Sequence, residues 1–171
     1  MKISYAITVC NELEEIQKLL KVLFNTKREE DEIVILLDKK NTTEETEQYL
    51  DNFYQLSKTS GYNYPTNVIL YKNKFNNHFG DWKNLLKNAC KGDYIFQIDA
   101  DEIPNTYLIE NLPEILESNP VQRNIKFSLE NTEACLAIFE KEFTFEIGVL
   151  KEDFTEVILN LTGWDTQINY N

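Results

Sequence analysis

Two carboxylates, Asp99 and Asp101, stand one residue apart in Asp99-Ala100-Asp101, directly after the apolar run Tyr94-Ile95-Phe96-Gln97-Ile98. Where a chain leaves the pleat at a strand end, both can reach one hard cation, and oxygen ligands suit Mg²⁺ or Mn²⁺. Such an ion can bridge two phosphates and stabilise charge on a departing diphosphate. The sequence continues Glu102-Ile103-Pro104, without the ligand spacing or central glycine of an EF-hand loop. A pair of this kind is common by chance, and a solvated acidic turn is its plain alternative. On geometry alone it would serve nucleotidyl transfer equally well.

Two further polar clusters follow apolar runs. Thr8, Asn11 and Glu12 close the run from Ile3, and Asp38 closes Glu32-Ile33-Val34-Ile35-Leu36-Leu37. Between the runs lie segments of helical period: Leu13, Ile16, Leu19, Leu20 and Leu23; Tyr49, Leu50, Phe53 and Leu56; Phe79, Trp82, Leu85, Leu86 and Ala89; Leu108, Leu112, Ile115 and Leu116. Asn11 is the expected cap of the first helix with Glu14 in a capping box, Thr42 or Thr43 of the second, and Pro104-Asn105 the start of the fourth. Gly92 is expected to end the third. Strand alternating with helix to residue 120 predicts an α/β domain with a mainly parallel sheet. In such a sheet ligands bind beyond the C-terminal strand ends, so the three polar clusters are expected to converge. After residue 121, strands are expected over 124–129 and 134–139, a short helix over 153–161 and an edge strand over 166–170.

The 171 residues suit one domain, with 42% hydrophobic residues, 10 Phe and 9 Tyr. The formal net charge of −12 disfavours nucleic acid and anionic membrane surfaces. A phosphate-bearing substrate would therefore need a metal, helix N-termini or a few lysines. Cys10, Cys90 and Cys135 form no CxxC pair and are expected reduced, as in the cytoplasm. One histidine, His78, excludes a His-rich metal site. No apolar run approaches a membrane span, and no signal peptide is expected.

Taken in order, these stretches resemble the family-2 glycosyltransferases of the GT-A fold. Tyr5-Ala6-Ile7-Thr8-Val9-Cys10-Asn11-Glu12 is similar to the family's opening strand, and Ile33 to Asp38 to its second strand with a base-binding aspartate. Asn41-Thr42-Thr43-Glu44-Glu45-Thr46 resembles the loop that follows. Phe79-Gly80-Asp81-Trp82-Lys83-Asn84 stands where the family carries an arginine–asparagine pair, with Lys83 in place of the arginine and Asn84 kept. Gly92 to Glu102 is the most specific stretch. The resemblance covers about residues 1–117 and implies a three-layer α/β/α sandwich.

The resemblance further implies sugar transfer from a nucleotide diphosphate donor to an acceptor hydroxyl, inverting and dependent on Mn²⁺ or Mg²⁺. Thr8, Asn11 and Glu12 would line the nucleotide pocket with Asn84 nearby, and Asp38 would accept a hydrogen bond from the base, a UDP-sugar being favoured. Asp99 would lie near the ribose or diphosphate, Asp101 would be the main metal ligand, with Asp99 beside it, and Lys83 would neutralise phosphate. Inversion needs a base for the acceptor hydroxyl. Lys151 to Gly163 resembles the family segment that supplies it, which makes Asp153 the candidate, with Glu152 next to it. The acceptor would be a glycan, a lipid-linked sugar or another hydroxyl compound. One domain over 1–171 is expected, with a donor part at 1–117 and a shortened acceptor part at 118–171. That shortness leaves open a non-catalytic nucleotide-sugar-binding or interaction module. A nucleotidyltransferase would want a glycine-rich basic loop after the first strand, and residues 8–15 hold no glycine and three glutamates.

Overall fold

The apolar runs become strands and the periodic segments become helices. The structure is a computed structural model, and it describes residues 1–59, 67–118, 125–128 and 135–140. In chain order these form β1 (Ile3–Val9), α1 (Leu13–Thr26), β2 (Glu32–Asp38), α2 (Glu44–Lys58), β3 (Val68–Asn73), α3 (Phe79–Ala89), β4 (Tyr94–Asp99), α4 (Thr106–Ser118), β5 (Ile125–Ser128) and β6 (Cys135–Glu140). One sheet runs β3-β2-β1-β4-β6-β5. Its first four strands are parallel, and β6 joins β4 antiparallel with β5 outside it.

Strands β1, β2 and β4 are covered on both faces, which is why they read as continuous apolar runs. Ile3, Tyr5, Ile7 and Val9 of β1 pack with Ile33, Ile35 and Leu37 of β2 and Phe96 and Ile98 of β4 against α1, α2 and α4. The alternate residues Ala6, Val34, Leu36 and Ile95 pack against Trp82 and Leu86 of α3. This gives the three-layer α/β/α arrangement. The chain runs outward from β1 to β2 and β3, then crosses back to place β4 on the other side of β1. Strand order therefore reverses between β1 and β4, and that reversal opens a crevice at the C-terminal edge.

Several local expectations are corrected. Helix α1 starts one residue later than Asn11 would cap it. Its N-cap is Glu12, which makes no side-chain cap, because the Glu12 carboxylate folds back to accept the Cys10 N–H at 2.8 Å. Thr43 does cap α2, accepting from the Thr46 N–H at 3.2 Å, and Asn105 caps α4 through the Leu108 N–H at 2.9 Å. Leu56, Phe79 and Leu85, expected to face inward, are exposed. Gly92 does not end α3; the C-cap is Cys90 with extended backbone. Gly92 is instead a close-approach residue, since a Cβ there would lie 2.6 Å from Ser4 Oγ and 2.7 Å from the Ser4 nitrogen. The strands expected near 124–129 and 134–139 are β5 and β6. The elements expected over 153–161 and 166–170 lie outside the described residues.

The edge opposite the crevice is held by Glu32. It is buried, with Lys2 Nζ at 2.6 Å, Ser4 Oγ at 2.7 Å and the Lys91 N–H at 2.5 Å. Burial alone would raise its pKa. The bonds from Lys2, Ser4 and Lys91 outweigh burial and hold it below the ordinary 4.5. A depressed pKa contributes stability that is fully present above about pH 4.5 and is lost as pH falls through the folded value. Glu32→Gln is accordingly expected to unfold at lower temperature than the parent at pH 7. The gap should narrow steadily in melts taken from pH 5 to pH 3, and a gap independent of pH would refute this linkage.

Candidate functional site

The crevice is a cleft of about 390 Å³ lined by the ends of three strands and one wall of α3. From β1 and its loop come Thr8, Val9, Cys10 and Glu12; from β2, Asp38; from β4 and its turn, Asp99, Ala100 and Asp101. Phe75, Phe79, Trp82 and Lys83 complete the lining. The three polar clusters therefore do converge. Exposed Asn11 and half-buried Asn84 are not among the lining residues, and Glu152 and Asp153 lie outside the described residues.

At the reversal point Thr8 of β1 stands in register with Asp99 of β4. Three donors meet on one oxygen, Asp99 Oδ1: the Thr8 hydroxyl, the Lys83 ammonium at 2.6 Å and the Gln97 amide nitrogen at 3.2 Å. Lys83 Nζ also reaches Thr8 Oγ1 at 3.1 Å. Lys83 can do this because it projects from the buried face of α3, one residue from Trp82. Gln97 occupies the same sheet face two residues before Asp99. Its own carbonyl oxygen is buried without a hydrogen-bond partner among the described residues.

Beyond β4 the chain turns sharply. The Ala100 N–H donates to the Thr8 carbonyl at 3.0 Å and the Glu102 N–H to the Asp99 carbonyl at 2.9 Å. The buried Glu102 carboxylate accepts the Asp99 N–H at 2.8 Å. This turn leaves Asp101 exposed on the cleft.

Asp38 is nearly enclosed. Its Oδ1 accepts from the Lys40 N–H at 2.8 Å and the Phe75 N–H at 3.1 Å, and its Oδ2 from Asn41 Nδ2 at 2.7 Å. Burial would raise its pKa, but the bonds from Asn41, Lys40 and Phe75 prevail and hold it below the ordinary 3.8. Asp38 is thus an ionised acceptor at neutral pH, fixed in one orientation. Burial, with Glu12 and Asp38 nearby, pushes the Cys10 thiol up, so Cys10 stays protonated and is a poor nucleophile.

Sequence reasoning missed the aromatic wall. Phe79 and Trp82 carry only the signal of one apolar helix face, and Phe75 falls in no periodic segment. The signal available was Phe75-x-x-x-Phe79, an i, i+4 aromatic pair straddling a helix start.

The donor set has the chemistry of a hard-cation site, with Asp101 exposed on the cleft and Asp99 two residues before it. Among the described residues, no three His, Cys, Asp or Glu side chains come together as a ready-made cage. An Mg²⁺ or Mn²⁺ ion here would have to be held by one or two carboxylates and completed by substrate phosphates and water. No helix among the described residues is long and apolar enough to cross a membrane.

Solved structures share the fold. TarS of S. aureus (residues 1–349, in complex with UDP-GlcNAc) is 18% identical, with a TM-score of 0.61 over 78% of this chain and 36% of that one. The mannosyltransferase PcManGT of Pyrobaculum calidifontis, in complex with GDP-Man and Mn²⁺, is 14% identical, with a TM-score of 0.65 over 81% of this chain and 44% of that one. A CMP:2-keto-3-deoxy-manno-octonic acid synthetase complexed with CTP is 10% identical, with a TM-score of 0.54 over 83% of this chain and 75% of that one. The chain spans only 28% to 44% of the length of the TarS and PcManGT chains. No curated protein matches it significantly in sequence. The model of Glycosyl transferase family 2 matches residues 4–147, from the first strand through the acidic turn and past β6, and the chain belongs to that family.

Proposed function

We propose that the cleft binds a nucleotide-sugar, a UDP-sugar above others, and that the chain transfers the sugar to an acceptor hydroxyl with inversion. The observation that carries this is the meeting of Asp38, Thr8, Asp99 and Asp101 on one cleft at the strand reversal. Asp38 and Asp99 stand on strands separated by β1, so roughly 10 Å apart at about 4.8 Å per strand. That span suits a nucleoside diphosphate laid across the strand ends.

In this reading Asp38 accepts a base N–H and Asp99 adjoins the ribose or diphosphate. Thr8 and Glu12 border the nucleotide, with Asn11 and Asn84 beside them. Asp101, with Asp99, would hold Mn²⁺ or Mg²⁺, which when bound supplies positive charge for the leaving diphosphate. The chain's own part is orientation. Lys83, Thr8 and Gln97 fix Asp99, while Asn41 and two backbone N–H groups fix Asp38. The acceptor base is assigned to Asp153, with Glu152 as its neighbour, and the acceptor is a glycan, lipid-linked sugar or other hydroxyl compound.

The test is turnover of a panel of UDP- and GDP-sugars with Mn²⁺ or Mg²⁺, following release of nucleoside diphosphate. A UDP-sugar is expected to turn over, and chelation of the metal to stop it. Binding of nucleoside diphosphate without any turnover would instead support the non-catalytic module.

A further inference from the structure

One aromatic ring on the cleft wall is left half exposed. Phe79 opens α3 with 47% of its surface exposed and lines the cleft beside Phe75. Phe75 and Phe79 ring centroids are 5.0 Å apart at 51°, and Trp82 meets Phe75 edge-on at 5.5 Å and 73°. Trp82 is 7% exposed and belongs to the core under α3, against which Phe75 also packs. The rings thus form a continuous run of tilted and edge-on contacts from the core to the cleft surface.

The loop that presents them is built rather than loose. Asn77 takes φ 65°, a left-handed conformation that asparagine tolerates better than most residues. Asn76 Oδ1 accepts the His78 N–H at 3.1 Å, and Asn76 Nδ2 donates to Asp81 at 3.1 Å. His78 Nδ1 caps α3 by accepting the Asp81 N–H at 3.0 Å. Phe75 is also tied to the base-reading carboxylate, since its own N–H donates to Asp38 Oδ1 at 3.1 Å. Asp38 and both rings line the same cleft.

We infer that Phe75 and Phe79, backed by Trp82, are the stacking platform for the donor's nucleobase, with Asp38 reading its edge. This rests on the nucleotide-sugar reading above. Stacking has the geometry and the chemistry required: a rigid aromatic face, partly desolvated, adjoining one fixed hydrogen-bond acceptor. It also supplies affinity that depends on no positive charge, in a cleft whose described lining holds four carboxylates and one lysine.

The experiment compares the parent chain with Phe79→Ala, Phe75→Leu and Phe79→Tyr. Each is titrated, in Mn²⁺, with UDP, CDP, ADP and GDP, and separately with inorganic pyrophosphate, which has no base. Phe79 is exposed, so its removal leaves the core intact. Phe79→Ala and Phe75→Leu are expected to weaken the preferred nucleoside diphosphate about 10-fold, within the range for losing one base–aromatic stack. Pyrophosphate affinity should stay the same, and Phe79→Tyr should bind like the parent. Equal nucleoside diphosphate affinity in all the proteins overturns the platform and leaves the donor reading standing. So does a raised acceptor KM at unchanged nucleotide affinity, which would assign the rings to the acceptor. A matching loss for pyrophosphate overturns it too, as a general distortion of the cleft. A parent chain that binds no nucleoside diphosphate removes the platform together with the donor reading.

Discussion

Asp101→Ala is expected to remove the metal dependence of nucleoside diphosphate binding and to lower turnover about 100- to 1000-fold, the usual cost of deleting one group aimed at developing transition-state charge. The sign of the effect depends on the metal. With Mn²⁺ or Mg²⁺ present, the variant loses a hard oxygen ligand and binds the nucleotide more weakly. With the metal chelated, it loses one of the carboxylates that repel the diphosphate, so it should bind as well as the parent or better. The fold should not suffer. Asp101 is exposed, and its turn is held by Thr8, Asp99, Ala100 and Glu102 through bonds of 2.8 to 3.0 Å that do not involve the Asp101 carboxylate. Calorimetric titration of parent and variant with UDP, with and without Mn²⁺, reads both halves. Equal metal-dependent affinity in the two proteins would sink Asp101 as the ligand.

Much of this site was legible because strand ends announce themselves. Asp38 and Asp99 each close an apolar run, and both runs became strands ending on that residue. The alternation of elements then dictates that these ends share an edge. Caps were less legible, because competing local partners decide them. Asn11 has the right chemistry, yet Glu12 bonds to Cys10 instead and α1 starts later. Gly92 misled for a different reason. Its requirement comes from Ser4, 88 residues away in sequence but touching in space, and no local pattern reports such a contact. The aromatic wall and the clustering on Asp99 Oδ1 are of this second kind. Each needs two or three elements packed before its members meet, so single-sequence periodicity sees Phe79 as one more helix-face residue and Lys83 as a surface cation.

Lys83 therefore carries the second large effect. Its side chain is 9% exposed and its ammonium lies 2.6 Å from Asp99, whose side chain is 39% exposed. Lys83→Met leaves that carboxylate facing Glu12, Asp38 and Asp101 across the cleft, with no lysine among the described lining residues. Breaking a fully buried pair costs about 3–5 kcal/mol. Water at Asp99 screens part of this, so a loss of about 1–3 kcal/mol is expected, or roughly 2–12 °C in melting temperature for a chain of this size. Lys83→Arg keeps the charge and should lose far less. Lys83→Met with Asp99→Asn removes both charges and should recover most of the stability; a double variant as unstable as Lys83→Met would show that the pair is not what the lysine supports. Nucleotide affinity in the same set separates two roles. If Lys83 works only by orienting Asp99, the double variant should bind UDP no worse than Asp99→Asn alone. If the ammonium also meets the diphosphate, the double variant should bind more weakly than either single one, because a carboxylate position and a phosphate counter-charge have then been lost independently.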